Sequence, residues 1–162
     1  MLSKMPEIKI REAKLSDAEA LITLYPHWGI ELAKKRIERA LNSKYEKRYV
    51  AEFDGKVVAH LLVRFERGAH KHLATFYSLI VHPEYRKKGI ATKLVEYAIS
   101  KLPENIEIVL AQVQHDNVSS LMLFKKLGFE QYGLLKDAWK KEESYKDNIL
   151  LKKVVRKPVK SC

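Results

Sequence analysis

The densest chemistry in this chain lies in Val81-His82-Pro83-Glu84-Tyr85-Arg86-Lys87-Lys88-Gly89-Ile90-Ala91-Thr92. Three consecutive basic side chains precede a lone glycine, and an amphipathic helical pattern starts at once. An apolar, β-like run from Tyr77 to Val81 leads in. That order aims backbone N–H groups and positive side chains at one spot, where a helix N-terminus already favours negative charge. Arg86, Lys87 and Lys88 suit phosphate oxygens, and Gly89 and Ala91 are small enough to let a ligand reach the backbone. The segment fits a pyrophosphate.

Two familiar pyrophosphate loops do not match. A nucleoside-triphosphate loop needs G-x-x-x-x-G-K-[ST] and a dinucleotide loop needs G-x-G-x-x-G, and Gly89 satisfies neither. What the segment does match is R-x-x-G-x-A, preceded by Val81-x-Pro83-x-Tyr85. A second segment, Asn117-Val118-Ser119-Ser120-Leu121-Met122-Leu123-Phe124-Lys125-Lys126-Leu127-Gly128-Phe129-Glu130, follows about 25 residues later, after another buried-strand pattern. Through these two motifs, in this order and spacing, residues 8–155 resemble the GCN5-related N-acetyltransferase (GNAT) superfamily. The resemblance implies a single-domain α/β fold over residues 1–155, with a mixed, mostly antiparallel central sheet of six to seven strands flanked by about four helices. It leaves 156–162 as a basic tail.

It also implies acetyl-CoA as acetyl donor, with no metal. In the family the strands before the two motifs splay, and the pantetheine arm lies between them. Leu79 and Val81 would then offer backbone hydrogen bonds to the arm. The amides of Lys87, Lys88, Gly89, Ile90, Ala91 and Thr92 would hold the pyrophosphate, with Arg86 and Lys88 adding charge. Asn117, Ser120 and Phe124 would line the other side, and Lys126 would meet the 3′-phosphate. Asn117 reads equally as a helix N-cap, and Lys126 as a solvated lysine.

The implied reaction is direct attack of a primary amine on the thioester, the acceptor being a small amine, an amino-acid analogue or a protein amino group. The amine must first lose a proton. The oxyanion needs an N–H donor, for which the backbone at Leu79 or Ile80 is suited. The chain departs from the family pattern at both usual proton carriers, with Phe124 where a tyrosine acid often stands and Thr75 where a base often stands. The catalytic candidates are therefore Tyr77, His115 and Tyr145. Each has a structural alternative: a packed aromatic, a loop histidine and a surface tyrosine. Aromatics and carboxylates that suit a cationic amine lie at Tyr25, His27, Trp28 and Glu31, and again at Trp139, Glu142, Glu143 and Tyr145. Two other readings remain, a non-catalytic acyl-CoA-binding regulatory module and a basic RNA- or ribosome-associated protein.

The elements that must position these groups alternate as a sheet with helices on its faces. Residues 8–13 read as a strand, and Ser16 with Glu19 reads as a capping box opening a helix to about Tyr25. A second helix over 30–41 turns Ile30, Ala33, Ile37 and Leu41 inward, so its run of Lys34, Lys35, Arg36 and Arg39 is its wet side. Residues 45–53 and 57–65 form a hairpin around Asp54-Gly55. Residues 73–81 are the next strand, a helix from Ile90 stops before Pro103, and 106–113 reads as a central strand. After the motif helix over 118–127, strands 130–136 and 148–155 close the sheet across a polar connection, 137–147.

Composition bounds the rest. The 162 residues suit one core. The net charge of +11, from 31 Lys and Arg against 20 Asp and Glu, reads as a lysine-rich surface or as attraction for an acidic partner, nucleic acid or ribosome. No apolar run approaches the roughly 18 residues of a membrane span, and no signal peptide is recognised in the first residues. The one cysteine, Cys162, fits a reducing cytoplasm. A homodimer is compatible with all of this.

Overall fold

The computed structural model describes residues 5–156. In chain order these form β1 (Ile8–Glu12), α1 (Ala18–Leu24), α2 (Ile30–Asn42), β2 (Glu46–Phe53), β3 (Lys56–Phe65), β4 (Leu73–Val81), α3 (Ile90–Ser100), β5 (Ile108–Gln114), α4 (Val118–Lys126), β6 (Glu130–Lys141) and β7 (Ser144–Val154). The seven strands follow the order β1-β2-β3-β4-β5-β7-β6. The β4–β5 ladder is parallel, while β1–β2, β2–β3, β5–β7 and β6–β7 are antiparallel. The α/β architecture, sheet and helix number are those expected. No helix among the described residues is long and apolar enough to cross a membrane.

The chain forms two compact units. The first runs to Arg64 and resumes at Ser78–Lys101. Its β2–β3 hairpin turns at Asp54 (φ 49°) and Gly55 (φ 83°), the left-handed pair that matches strand twist. Residues 58–63 of β3 are all buried, so this strand is covered on both faces. Helix α1 does not open as expected. Ser16 is exposed and caps nothing; Asp17 does the work, accepting the Lys14 N–H at 2.8 Å and pairing with Arg11 through two contacts of 2.7 and 2.9 Å. Burial raises the Asp17 carboxyl, but Arg11 and the Lys14 amide reverse this and hold it below the ordinary carboxylate value. On α2 the inward stripe is Ala33, Ile37 and Ala40, and Leu41 is left 49% exposed.

The second unit comprises Phe65–Tyr77 and the chain from Leu102. Strand β5 pairs on both sides, as a central strand must. The expected polar connection over 137–147 is absent. Instead β6 and β7 continue through it as a two-stranded ribbon to a tight turn at Glu142 (φ 56°) and Glu143, with Lys141 opposite Ser144. A register shift between Leu135 and Trp139 absorbs Asp137 (φ 53°), whose N–H donates to Asp147 Oδ1 at 2.9 Å. The ladder satisfies the backbone without burying either face, so this ribbon carries no apolar alternation to betray it. Arg156, expected to open the tail, donates to the carbonyls of Pro103 and Ile106 at 2.6 and 3.0 Å. The remainder of the expected tail, 157–162 with Cys162, lies outside the described residues.

Candidate functional site

In the first unit, β4 leaves regular geometry at Ser78, where φ is +53°. The parallel ladder to β5 has already ended, at Phe76 opposite Ala111. Leu79, Ile80 and Val81 follow, all half-buried. Pro83 then opens a single 3-10 turn, capped by His82, whose Nδ1 accepts the Glu84 N–H at 3.2 Å. Arg86 Nε donates back to the Val81 carbonyl at 3.3 Å, so of Val81's two backbone groups the carbonyl is already engaged.

Lys87 (φ 62°) and Gly89 (φ 78°) are both left-handed. Left-handed residues placed in alternation turn successive N–H groups toward a common concavity, a geometry that binds anions. Gly89 is the N-cap of α3, and the first helical amide to find a helix carbonyl is that of Lys93, on Gly89 O at 3.1 Å. The amides of Ile90, Ala91 and Thr92 are thus the orphan donors of the first turn. Ile90 itself is 1% exposed and anchors the helix start in the core, while Arg86, Lys87 and Lys88 are exposed beside the amides. A Cβ on Gly89 would meet nothing within 4 Å, so its backbone angle, not crowding, asks for glycine. The orphan amides of Ile90, Ala91 and Thr92 and the exposed side chains of Arg86, Lys87 and Lys88 thus lie together at the start of α3, an arrangement that suits an anion.

The same unit holds a buried polar chain that the motifs did not reveal. Arg48 Nη1 lies 3.1 Å from His60 Nε2, His60 Nδ1 lies 2.9 Å from Tyr25 Oη, and Tyr25 Oη donates to the Ser78 carbonyl at 2.8 Å. His60 is fully buried, and desolvation with the neighbouring Arg48 charge pushes its pKa down to about 3. Burial raises the Tyr25 hydroxyl and lowers Arg48. Tyr25 also stacks on Trp28 at 4.2 Å, and both rings are core. Of the expected acceptor-side residues in this unit, Tyr25, His27, Trp28 and Glu31, His27 and Glu31 are exposed. The signal available in the sequence was slight: one histidine and one arginine inside apolar strands.

In the second unit Asn117 caps α4, its Oδ1 accepting the Ser120 N–H at 3.2 Å. The cap uses only the oxygen and leaves the amide donors of Nδ2 available for a ligand, so the two readings of Asn117 are compatible. Ser120 is half-buried on the next turn. Phe124 is 3% exposed and packs edge-on against Phe129 at 4.9 Å, as a core pair. Lys126 is exposed in the last turn, beside Lys125, where the helix dipole favours cations.

The sequence carries one more finding: residues 14–129 match the acetyltransferase (GNAT) family model. The chain belongs to the GNAT family. The matched span holds both signature segments and stops before the closing ribbon. An N-alpha-acetyltransferase of Sulfurisphaera tokodaii is 31% identical over 151 residues, 82% of this chain and 86% of that one. In fold, the chain is similar to a ribosomal-protein-alanine N-acetyltransferase from Brucella melitensis (TM-score 0.82, 23% identity, 90% of this chain and 99% of that one). It is also similar to a Salmonella typhimurium structure solved with its cofactor acetyl-CoA (TM-score 0.79, 19% identity, 94% and 96%). The protein is an acyltransferase.

Among the catalytic candidates of this GNAT chain, His115 is the best defined. Its ring Nδ1 accepts the Asp147 N–H at 3.1 Å, and its backbone N–H donates to the Asp147 carbonyl at 2.9 Å. With Nδ1 accepting, the neutral ring carries its proton on Nε2, so the exposed nitrogen is a donor. Asp116 beside it pairs with Lys146 at 2.8 Å, and that hydrogen bond holds the Asp116 carboxyl below its ordinary value. Tyr145 is 47% exposed on the ribbon, with Lys140 Nζ 5.3 Å from its ring, and Tyr77 is half-buried. Thr75, at the position expected to hold a base, is 3% exposed and has a hydroxyl but no group that ionises near neutral pH, and Phe124 has no proton to give.

Proposed function

We propose that the protein transfers the acetyl group of acetyl-CoA to a primary amine, with a peptide or protein α-amino group as the favoured acceptor. The observation that carries the donor half is the loop before α3, where two left-handed residues, three orphan helix amides and three exposed basic side chains converge. That set matches a pyrophosphate in charge and in donor count. The acceptor half rests on relatives such as the Sulfurisphaera protein, whose name specifies the α-amino group.

Acetyl-CoA would supply an activated thioester, whose acyl carbon takes the amine nitrogen while the C–S bond breaks and the thiolate departs. The amides of Ile90, Ala91 and Thr92, with Arg86 and Lys88, bind the pyrophosphate. The amide of Leu79 or Ile80 stabilises the developing oxyanion. His115 can donate through Nε2, while Tyr77 and Tyr145 remain the hydroxyl candidates. Since Phe124 has no proton to give and the Thr75 hydroxyl does not ionise near neutral pH, the amine proton passes to solvent or to one of these three groups.

The test is release of free CoA near pH 8 against polyamines, amino acids, aminoglycosides and N-terminal peptides, with the product weighed by mass spectrometry. Release dependent on peptide amines is expected. Silence across the panel with acetyl-CoA binding intact would favour the binding-module reading. Gly89→Glu, which puts a strained, negative side chain into the loop, should remove acetyl-CoA binding by thermal shift while the circular dichroism spectrum stays native; binding as tight as the parent's sinks the placement. Asn117→Asp keeps the cap oxygen and removes the amide donors. An unchanged Tm with a raised KM for acetyl-CoA is expected; an unchanged KM leaves Asn117 as a cap.

A further inference from the structure

The chain of side chains running from Arg48 through His60 to Tyr25 ends on the carbonyl of the one β4 residue that leaves strand geometry. We propose that Arg48, His60 and Tyr25 are positioning residues for acetyl transfer, locking Ser78 in its left-handed conformation so that the Leu79 and Ile80 amides stay placed for the thioester oxygen. This rests on the acetyl-transfer reading above.

The direction of every hydrogen bond in the chain is forced. Arg48 has no acceptor, so His60 Nε2 must accept from it at 3.1 Å. A neutral His60 then carries its proton on Nδ1 and donates to Tyr25 Oη at 2.9 Å. Tyr25 has its own proton left for one partner, and that partner is the Ser78 carbonyl at 2.8 Å. His60 is 0% exposed, Arg48 4% and Tyr25 9%, so water offers none of them a substitute.

A residue with a side chain rarely holds a φ of +53° unless its surroundings over-determine it. At Ser78 the β5 ladder gives no help, having ended at Phe76, which leaves β3 as the sheet neighbour on the other side of β4. The Tyr25 hydroxyl fastens the Ser78 carbonyl at 2.8 Å, with His60 Nδ1 approaching it at the longer distance of 3.4 Å. Tyr25 is itself immobilised by its stack on Trp28, over which Arg36 lies at 4.2 Å. One residue beyond Ser78, the strand becomes the segment to which the oxyanion donor is assigned. A shift of about an ångström at such a donor is enough to slow chemistry by roughly a hundredfold without touching distant binding contacts.

Tyr25→Phe removes one oxygen and keeps the stacked ring. The expected result is a kcat at least about tenfold lower, with KM for acetyl-CoA within about twofold of the parent, at a temperature where both are folded. Amide hydrogen exchange should speed up at Leu79 and Ile80 while residues 58–63 keep their protection. His60→Leu should reproduce the loss, and His60→Gln should recover most of it, because an amide side chain can both accept from Arg48 and donate to Tyr25. Unchanged exchange at Leu79 and Ile80 in Tyr25→Phe overturns the proposal whatever happens to Tm or kcat. A parent protein that acetylates no amine would instead sink the acetyl-transfer reading, and the exchange measurement would still decide whether the three residues hold Ser78.

Discussion

His60 is held through both ring nitrogens and His115 through Nδ1 alone, and the two are held in opposite tautomers. Between β3 and the Ser78 turn, Arg48 fills the Nε2 acceptor of His60 and leaves the proton on Nδ1. At the start of α4, the Asp147 amide fills the Nδ1 acceptor of His115 and leaves the proton on Nε2. The first ring is sealed in the core and can only transmit geometry. The second is exposed and offers a donor to whatever approaches. A histidine in an active-site-sized enzyme is readily taken for the proton carrier, yet here neither presents an acceptor nitrogen to solvent in its neutral form. Their difference lies in the cost of disturbing them, since a lost buried hydrogen bond leaves its partner desolvated and a lost exposed one is replaced by water.

That difference is measurable. The largest effect is expected for His60→Leu, which leaves the buried Arg48 guanidinium to Glu46 at 3.4 Å with its Nε already unpartnered, and takes a partner from Tyr25. About 2–4 kcal/mol should be lost in urea unfolding near neutral pH. A loss below about 1 kcal/mol would show that the relay contributes little to holding the core.

Next comes pH. His60 titrates at about 3 when folded and near its ordinary 6.5 when unfolded, so between these values only the unfolded chain takes up the proton. Stability from this group is complete above pH 6.5 and falls as pH drops toward 3, by up to about 1.4 kcal/mol per pH unit. His60→Gln should flatten that part of the profile. A parent-like slope in His60→Gln would assign the acid sensitivity elsewhere.

The smallest effect is expected for His115→Ala, at about 0.5–1 kcal/mol, because the freed Asp147 amide can turn to water. A cost comparable to that of His60→Leu would erase the contrast between the two sites.

How much of this was legible depended on how far apart in the chain the partners lie. The loop proposed to hold the phosphates was readable as a glycine-capped, basic helix start because all its parts, from Val81 to Thr92, are contiguous. The α4 cap was readable for the same reason, its oxygen and its amide being three residues apart. The buried relay was not, since Tyr25 reaches His60 across 35 residues and Ser78 across 53. The α1 start was misread for a related reason: Ser16 and Glu19 made a good local capping pattern, but Arg11, reaching across from β1, drew Asp17 into the cap instead. The ribbon beyond Leu135 was hidden because a strand with no buried face has no periodicity to read.

Local chemistry in the sequence thus settled the family, most of the element order and the place of the orphan amides at the α3 start, because each rests on neighbouring residues and on the fixed geometry of a helix start. Tertiary structure alone decided that Tyr25 and Trp28 are core rather than acceptor surface, that His60 is neutral, that His115 shows solvent its donor nitrogen, and that Ser78 is fastened where β4 bends. Those outcomes depend on burial and on partners brought together from distant segments. A side chain's type does not say whether water will be there to replace what it loses.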